Sequence, residues 1–161
     1  MNIAMQPARL TSQRDITMDQ AVNTTDQLHG YYFEDLEEGM MDVFAKTITD
    51  ADIITFAGVS GDTNPLHLSH EFASETIFES CIAHGMLTAS FISTVIGTKM
   101  PGPGCVYVSQ NLRFKAPVRA GDTVTATCVV NKLIPEKCFV ELNTICAVAG
   151  KPVVEGEATI M

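Results

Sequence analysis

The sequence predicts an α+β fold in which an antiparallel sheet wraps one long buried helix. Two observations predict it. The long apolar segment at residues 82–100 contains no acidic residue, and the segments after it are strand-like with no further helix. The chain has 161 residues, which is the length of one domain and enough to bury a sizeable core.

The elements before this helix are short. Residues 42–47 alternate with the two-residue period of a strand. Thr49 and Asp52 form a capping signal ahead of apolar residues at helical spacing over positions 53–59. Residues 60–65 are turn formers, and they end this short helix, which precedes the long one in the chain.

The segment 82–100 is apolar on nearly every side of a helix, so the helix is predicted to be buried. The Pro-Gly-Pro-Gly run at 101–104 stops it. The strand-like segments that follow span residues 106–114, 123–133, 139–148 and 153–160.

One domain is predicted over residues 31–161, preceded by a flexible N-terminal extension at residues 1–30. The extension is polar, rich in Thr, Gln and Asn, and has no sustained period of either a strand or a helix. Such a composition is typical of a flexible or loosely docked segment.

The charge of the chain restricts its partners. A net charge of −9 argues against a nucleic-acid binder and against docking on an anionic membrane. No acidic residue lies between positions 80 and 121, whereas four basic residues fall there: Lys99, Arg113, Lys115 and Arg119. This locally basic stretch is suited to an anionic ligand.

Cysteine usage indicates the compartment. The five cysteines are an odd number and include no Cys-x-x-Cys pair, which is typical of thiols kept reduced. No apolar signal-peptide segment is visible near the N-terminus. These features predict a cytoplasmic protein.

Asp62 and His67 are the first candidates for chemistry. They lie five residues apart around Pro65, which stiffens the turn between them. A carboxylate and an imidazole on one stiff loop can hold and deprotonate a water. The alternative is that Asp62 caps a helix starting near Pro65 and that His67 is a packed histidine.

Gly85 lies at the start of the long helix, directly after His84. A helix N-terminus has unpaired N–H groups and positive potential, and glycine allows a ligand to approach the backbone closely. A carbonyl oxygen that gains negative charge during a reaction could lie there. The simpler alternative is that Gly85 only allows tight helix packing.

Residues 60–67, Ser-Gly-Asp-Thr-Asn-Pro-Leu-His, resemble the hydratase motif of the MaoC-like, (R)-specific enoyl-CoA hydratases. Residues 83–87, the loop at 101–104 and residues 112–122 resemble further segments of this family in the expected order. The resemblance covers residues 32–161. The N-terminal extension departs from the family pattern, because the minimal hydratases lack it.

The resemblance implies a hot-dog fold and a homodimer or higher homo-oligomer. It implies that Asp62 and His67 hold one water, with Asp62 as the base when that water adds to Cβ of a trans-2-enoyl thioester. His67 orients the water and relays its proton toward Cα, and the Gly85 N–H stabilises the thioester oxygen. Asn64 is implied as a substrate-binding residue. Ser93 is also implied as a substrate-binding residue. The equal alternative is that Ser93 is a small residue that eases helix packing.

The function expected from the resemblance is reversible, (R)-specific hydration of short-chain enoyl-CoA such as crotonyl-CoA. No metal, nicotinamide or flavin is expected, since coenzyme A enters as part of the substrate. His67, His70, Glu71 and, further along the chain, His84 complete no recognised metal-ligand spacing. The alternative functions are a hot-dog acyl-CoA thioesterase and a non-catalytic acyl-CoA-binding module.

Overall fold

The computed structural model describes residues 28–161. This part of the chain contains the strands β1 (Met41–Thr47), β2 (Tyr107–Phe114), β3 (Thr123–Ile134), β4 (Phe139–Val148) and β5 (Lys151–Ile160). They form one antiparallel sheet in the order β1-β3-β4-β5-β2. The strands β1 and β2 are therefore its two edges.

Four helices connect β1 to β2: α1 (Asp50–Ser60), α2 (Pro65–Leu68), α3 (His70–Ser74) and α4 (Gly85–Thr98). The long helix α4 packs mainly on β1, β3, β4 and β5. Its residues Phe91, Ile92, Val95 and Ile96 are buried in the main apolar core. The predicted α+β arrangement, a long helix wrapped by an antiparallel sheet, is confirmed.

The long helix begins three residues later than the apolar pattern predicts. His84 has φ −58° and ψ 132°, which is not helical, and it is the N-cap of α4. The Ala83 N–H donates to the Val118 carbonyl at 2.7 Å, so residues 82–84 pair with the connection between β2 and β3. This pairing fixes the N-terminus of α4 against the end of the sheet.

One side of α4 stays exposed in the single chain, which differs from the prediction of a helix buried all round. Met86 is 57% exposed, and Ser93 and Gly97 are also exposed. The reason is that α4 lies over the other four strands and leaves most of β2 uncovered. On β2 and just before it, Val106, Val108 and Phe114 are about half exposed.

The segment before the first strand is attached to the loop that follows α4. The N–H groups of Gly30 and Tyr31 donate to the carbonyls of Pro103 and Pro101 at 3.0 and 2.7 Å. Residues 28–30 are the end of the extension that the sequence predicts to be flexible, and Gly30 is bonded to the loop after α4. Residues 1–27 lie outside the described residues. Within residues 28–161, no helix is both long and apolar enough to cross a membrane.

Candidate active site

The loop between α1 and α2 carries Asp62. Helix α1 ends at Gly61, whose φ of +77° is a conformation that favours glycine. Asn64 caps α2, because its Oδ1 accepts from the Leu66 N–H at 3.1 Å. The alternative in which Asp62 caps this helix is therefore wrong. Asp62 instead accepts from the Asn64 N–H through Oδ1 at 3.2 Å, and its side chain is exposed.

His67 lies on α2 and is half-buried. Its Nδ1 is 2.8 Å from the Ile82 carbonyl oxygen. A carbonyl only accepts, so this bond requires the proton on Nδ1. In the neutral ring, Nε2 is then left with a free lone pair that can accept a proton or a hydrogen bond.

His84 is buried, with 1% of its surface exposed, and its ring contacts the rings of His67 and Phe56. The ring centroids of His84 and His67 are 3.8 Å apart. His84 Nε2 is 2.9 Å from the Asp62 carbonyl oxygen, so Nε2 carries the proton of this bond. We name the bonds His67–Ile82 and His84–Asp62 the crossed pair, since each ring donates to the segment that holds the other ring.

Asp62, His67 and Gly85 line one cavity of about 470 Å³ at the N-terminal end of α4. His84 makes no side-chain hydrogen bond to the helix, so the first N–H groups of α4 are left for other acceptors. The wall is largely apolar and includes Phe78, Ile82, Met86, Phe114, Pro117 and Val118.

Gly85 packs closely against the ring of Phe114. A Cβ placed on Gly85 would lie 2.7 Å from Phe114 Cε1 and 2.9 Å from Cδ1. Glycine thus lets the ring pack against the first turn of α4 and also leaves the backbone there open to the cavity. Both interpretations of Gly85 from the sequence, close packing and backbone access, apply at this one position.

Two further predicted site residues lie outside this cavity. Asn64 is exposed and its side chain caps α2. Ser93 is exposed on α4, about two helical turns from Gly85. Their assignment to substrate binding stays a prediction.

The basic residues of the 80–121 stretch are spread around the fold. Only Lys115 is among the residues that line the cavity, and its Nζ is 3.3 Å from Glu155 Oε2. Lys99 follows the opposite end of α4 and is paired with Asp42 at 3.3 Å. Arg119 donates to Ser80 Oγ and to the Phe78 carbonyl, both at 2.9 Å, and so holds the loop that brings Phe78 to the cavity.

Asp62, His67 and His84 could together be mistaken for a metal site. One ligand atom from each lies within 4.8 Å of the other two. The two imidazoles, however, are tilted by 33° with their centroids 3.8 Å apart, and each ring already donates from one nitrogen to a backbone carbonyl. Zinc sites are completed by four ligands, and these three residues offer one ligand atom each. The absence of a metal stays a prediction, and the spacing suits a water molecule better.

Sequence reasoning gave no role to His84, Phe78 or Phe114. His84 could have been noticed because it immediately precedes the glycine at the start of the buried helix. No comparable signal marks Phe78 and Phe114, since their positions depend on how a loop and an edge strand meet the helix.

The fold and this site define a hot-dog protein with a carboxylate and an imidazole beside the N-terminus of its central helix. The model of the MaoC like domain matches residues 35–151. The chain belongs to the MaoC-like dehydratase family.

The chain is 58% identical to the (R)-specific enoyl-CoA hydratase of Rhodospirillum rubrum, over 86% of this chain and 96% of that protein. It is 48% identical to the 3-hydroxybutyryl-CoA dehydratase of Methylorubrum extorquens, over 83% of this chain and 85% of that one. Among solved structures, the (R)-hydratase from A. caviae involved in PHA biosynthesis has a TM-score of 0.75 and 42% identity, over 78% of this chain and 96% of that chain.

Proposed function

We propose that this chain is an (R)-specific enoyl-CoA hydratase, a hydro-lyase that adds water reversibly to a trans-2-enoyl-CoA thioester. The observation that carries the proposal is the convergence of Asp62, His67 and the Gly85 end of α4 on one cavity. The identity to relatives named (R)-specific enoyl-CoA hydratase and 3-hydroxybutyryl-CoA dehydratase supports it.

A single water lies between Asp62 and His67 in the proposed reaction. One carboxylate oxygen and one imidazole nitrogen lie within 4.8 Å of each other, a span that one water bridges with two hydrogen bonds of about 2.8 Å. His67 Nδ1 is bonded to Ile82, so the atom that faces this water is Nε2. The two groups thereby orient the oxygen lone pair of the water toward the substrate.

The chemical step moves one water across one double bond. Asp62 accepts a proton as the water oxygen bonds to Cβ, and the electron pair of the double bond moves toward the thioester carbonyl. The enolate oxygen lies at the Gly85 N–H, where the helix N-terminus stabilises negative charge. Asp62 passes this proton to His67 Nε2, and Nε2 delivers it to Cα as the enolate electron pair forms the new C–H bond, so both side chains return to their starting state. The thioester supplies the activation, and the proposal therefore includes no metal, nicotinamide or flavin.

Lys115 is the basic residue best placed to meet coenzyme A. It lines the cavity and is half exposed, so its ammonium can exchange Glu155 for a phosphate. Lys99 lies beyond the other end of α4 and is paired with Asp42. We expect Lys115→Gln to raise KM for enoyl-CoA severalfold and Lys99→Gln to leave it unchanged.

The protein acts as a homodimer that forms along β2. This strand is a sheet edge with unpaired backbone groups, and Val108 and Phe114 are 49% and 54% exposed beside the exposed Met86 of α4. Light scattering should give a mass near twice 17.4 kDa, and Val108→Lys should lower it toward one chain. A single-chain mass for the unmodified protein at assay concentration counts against the dimer.

The test of the function is hydration of crotonyl-CoA, followed by loss of its enoyl absorbance with a thiol dye present. Hydration without release of thiol supports the hydratase, whereas thiol release indicates a thioesterase. Binding without either signal indicates a non-catalytic module. A chain-length series of enoyl-CoA substrates then tests the preference for short chains, which the name of the 48% identical relative supports.

The proposed location is the cytoplasm, where coenzyme A thioesters are available. All five cysteines are free thiols, which fits a reducing compartment.

A further inference from the structure

We infer that His84 is a positioning residue that holds the Asp62–His67 pair in its working geometry through the crossed pair. The inference rests on the proposed hydratase function, because it concerns the same cavity. It adds a residue that contributes neither the base nor the oxyanion contact of the proposed reaction.

The first argument is the hydrogen bond from His84 Nε2 to the Asp62 carbonyl. Asp62 lies on an exposed loop, and its other contacts are local: its N–H donates to Ser60 Oγ at 3.2 Å and its Oδ1 accepts from the Asn64 N–H at 3.2 Å. Among the described residues, the bond to His84 is the one that ties Asp62 to a distant segment. It spans 22 positions of the chain and ends on the N-cap of α4.

The second argument is the packing of the two rings. The ring centroid of His84 lies 3.8 Å from that of His67 and 5.0 Å from that of Phe56. The ring is buried against His67, and its hydrogen bond to the Asp62 carbonyl fixes the direction of Nε2. The contact with His84 supports the ring of His67, whose only hydrogen bond in the described chain is from Nδ1 to the Ile82 carbonyl.

The third argument is that the ring of His84 makes no other hydrogen bond within residues 28–161. Its Nδ1 is buried and has no partner there, although leaving a buried polar atom unpaired is costly. A histidine kept only for core packing could be replaced by an apolar ring at this position. The bond to Asp62 is thus the contact that distinguishes histidine from phenylalanine here.

The experiment compares three variants of the full chain. In His84→Gln, the amide nitrogen lies near the position of Nε2 and keeps the bond to the Asp62 carbonyl. His84→Leu keeps the bulk of the side chain without this bond. In His84→Asn, the side chain is polar but too short to reach the Asp62 carbonyl. We expect His84→Leu and His84→Asn to lower kcat about 10- to 100-fold with KM within about threefold, the scale of an ångström-level misplacement. His84→Gln should recover to within about fivefold of the unmodified protein.

The packing control is Phe56→Leu, which removes an aromatic contact with His84 and leaves the Asp62 bond in place. It should lower the melting temperature with kcat within about twofold. Nitrogen-15 NMR of His67 gives a readout besides activity. The proton should stay on Nδ1 in the unmodified protein and in His84→Gln, and this single tautomer should be lost in His84→Leu.

Three outcomes overturn the inference: unchanged kcat in His84→Leu, equal kcat in the Gln and Asn variants, or an unchanged His67 spectrum in His84→Leu. If His84→Leu does not fold, the contrast between Gln and Asn decides. A failure of the proposed function is distinguishable, because the unmodified protein would then not hydrate crotonyl-CoA at all.

Discussion

The imidazoles of His67 and His84 lie 3.8 Å apart, and each donates a hydrogen bond to a backbone carbonyl in the segment of the other. His67 is bonded to Ile82, two residues before His84, and His84 is bonded to Asp62, five residues before His67. The proposed base and the helix end that is proposed to bind the thioester oxygen are therefore joined directly. A shift of one would carry the other with it.

His67→Asn should abolish most of the activity without unfolding the protein. The Asn amide can donate to the Ile82 carbonyl in place of Nδ1, but nothing replaces the lone pair of Nε2. We expect kcat for crotonyl-CoA hydration to fall about 10²- to 10⁴-fold, as for loss of an acid–base group. Thermal unfolding within a few degrees of the unmodified protein is the control, and near-normal turnover would contradict the role of Nε2.

Asp62→Asn provides a matched test of the base. The backbone carbonyl that accepts from His84 is unchanged, and an amide oxygen can still accept from the Asn64 N–H. The fold should thus persist while kcat falls about 10²- to 10⁴-fold. Normal crotonyl-CoA hydration by this variant would show that Asp62 is not the base.

Gly85→Ala should impair substrate binding more than stability. The new Cβ meets the Phe114 ring, which is 54% exposed and can turn away only by moving in or beside the cavity. We expect kcat/KM to fall about 10-fold or more, while the free energy of unfolding changes by less than about 1 kcal/mol.

Gly97→Ala is the control for this change. It lies on the same helix, and a Cβ there would have no neighbour within 4 Å. Alanine should stabilise the helix by up to about 1 kcal/mol and leave the kinetics unchanged. Equal kinetic effects of the two substitutions would contradict a specific role for the space at Gly85.

Asp52→Asn should change how stability depends on pH. The pKa of Asp52 is lowered from 3.8 to about 2. The largest cause is the hydrogen bond from Lys46, and the bonds from Thr49 come next. Because the folded-state pKa is the lower one, the contribution of the carboxylate is present above pH 4 and is lost as pH falls from 4 toward 2. The variant should lose about 1 kcal/mol at pH 7 and less at pH 2.

Urea unfolding at both pH values measures this difference, with Asp50→Asn as the control. Asp50 lies in the same first turn of α1, so its removal takes away an equal charge without removing the bonds to Lys46 and Thr49. An equal loss of stability at pH 7 and pH 2 for Asp52→Asn would refute the assignment.

The five thiols should differ in reactivity according to burial. Burial raises the pKa of Cys128 and of Cys146 to about 12, whereas Cys138 is exposed after the short helix at Pro135–Lys137. Iodoacetamide at pH 8 should label Cys138 first and the two buried thiols only after unfolding. Peptide mass spectrometry reads the sites, and early labelling of Cys146 would contradict the packing of β4 against α4.

The strands could be predicted closely because each half-buried strand carries its own two-residue period. Residues 123–133 and 139–148 were expected to be strands, and β3 and β4 span Thr123–Ile134 and Phe139–Val148. β1 begins one residue earlier than the pattern predicts, at Met41, and β5 begins two residues earlier, at Lys151. In β5, Pro152 enters the strand where the pairing register with β4 shifts.

The cavity was less accessible to prediction. The hydratase-like motif indicated Asp62 and His67, because their chemistry depends on local spacing along one loop. The contacts of His84 with Asp62 and of Phe114 with Gly85 span 22 and 29 positions. No periodicity in the chain carries information about such pairs, so they emerge only from the assembled fold.

Both acceptors of the crossed pair are main-chain carbonyls, which every residue type possesses. The hydrogen bond from His67 therefore does not depend on the side chain of Ile82, which lines the cavity. A substitution at position 82 can widen or narrow the cavity without removing the backbone carbonyl that accepts from His67. Ile82 is the place where the shape of the cavity can be altered independently of the hydrogen bonds that position His67 and Asp62.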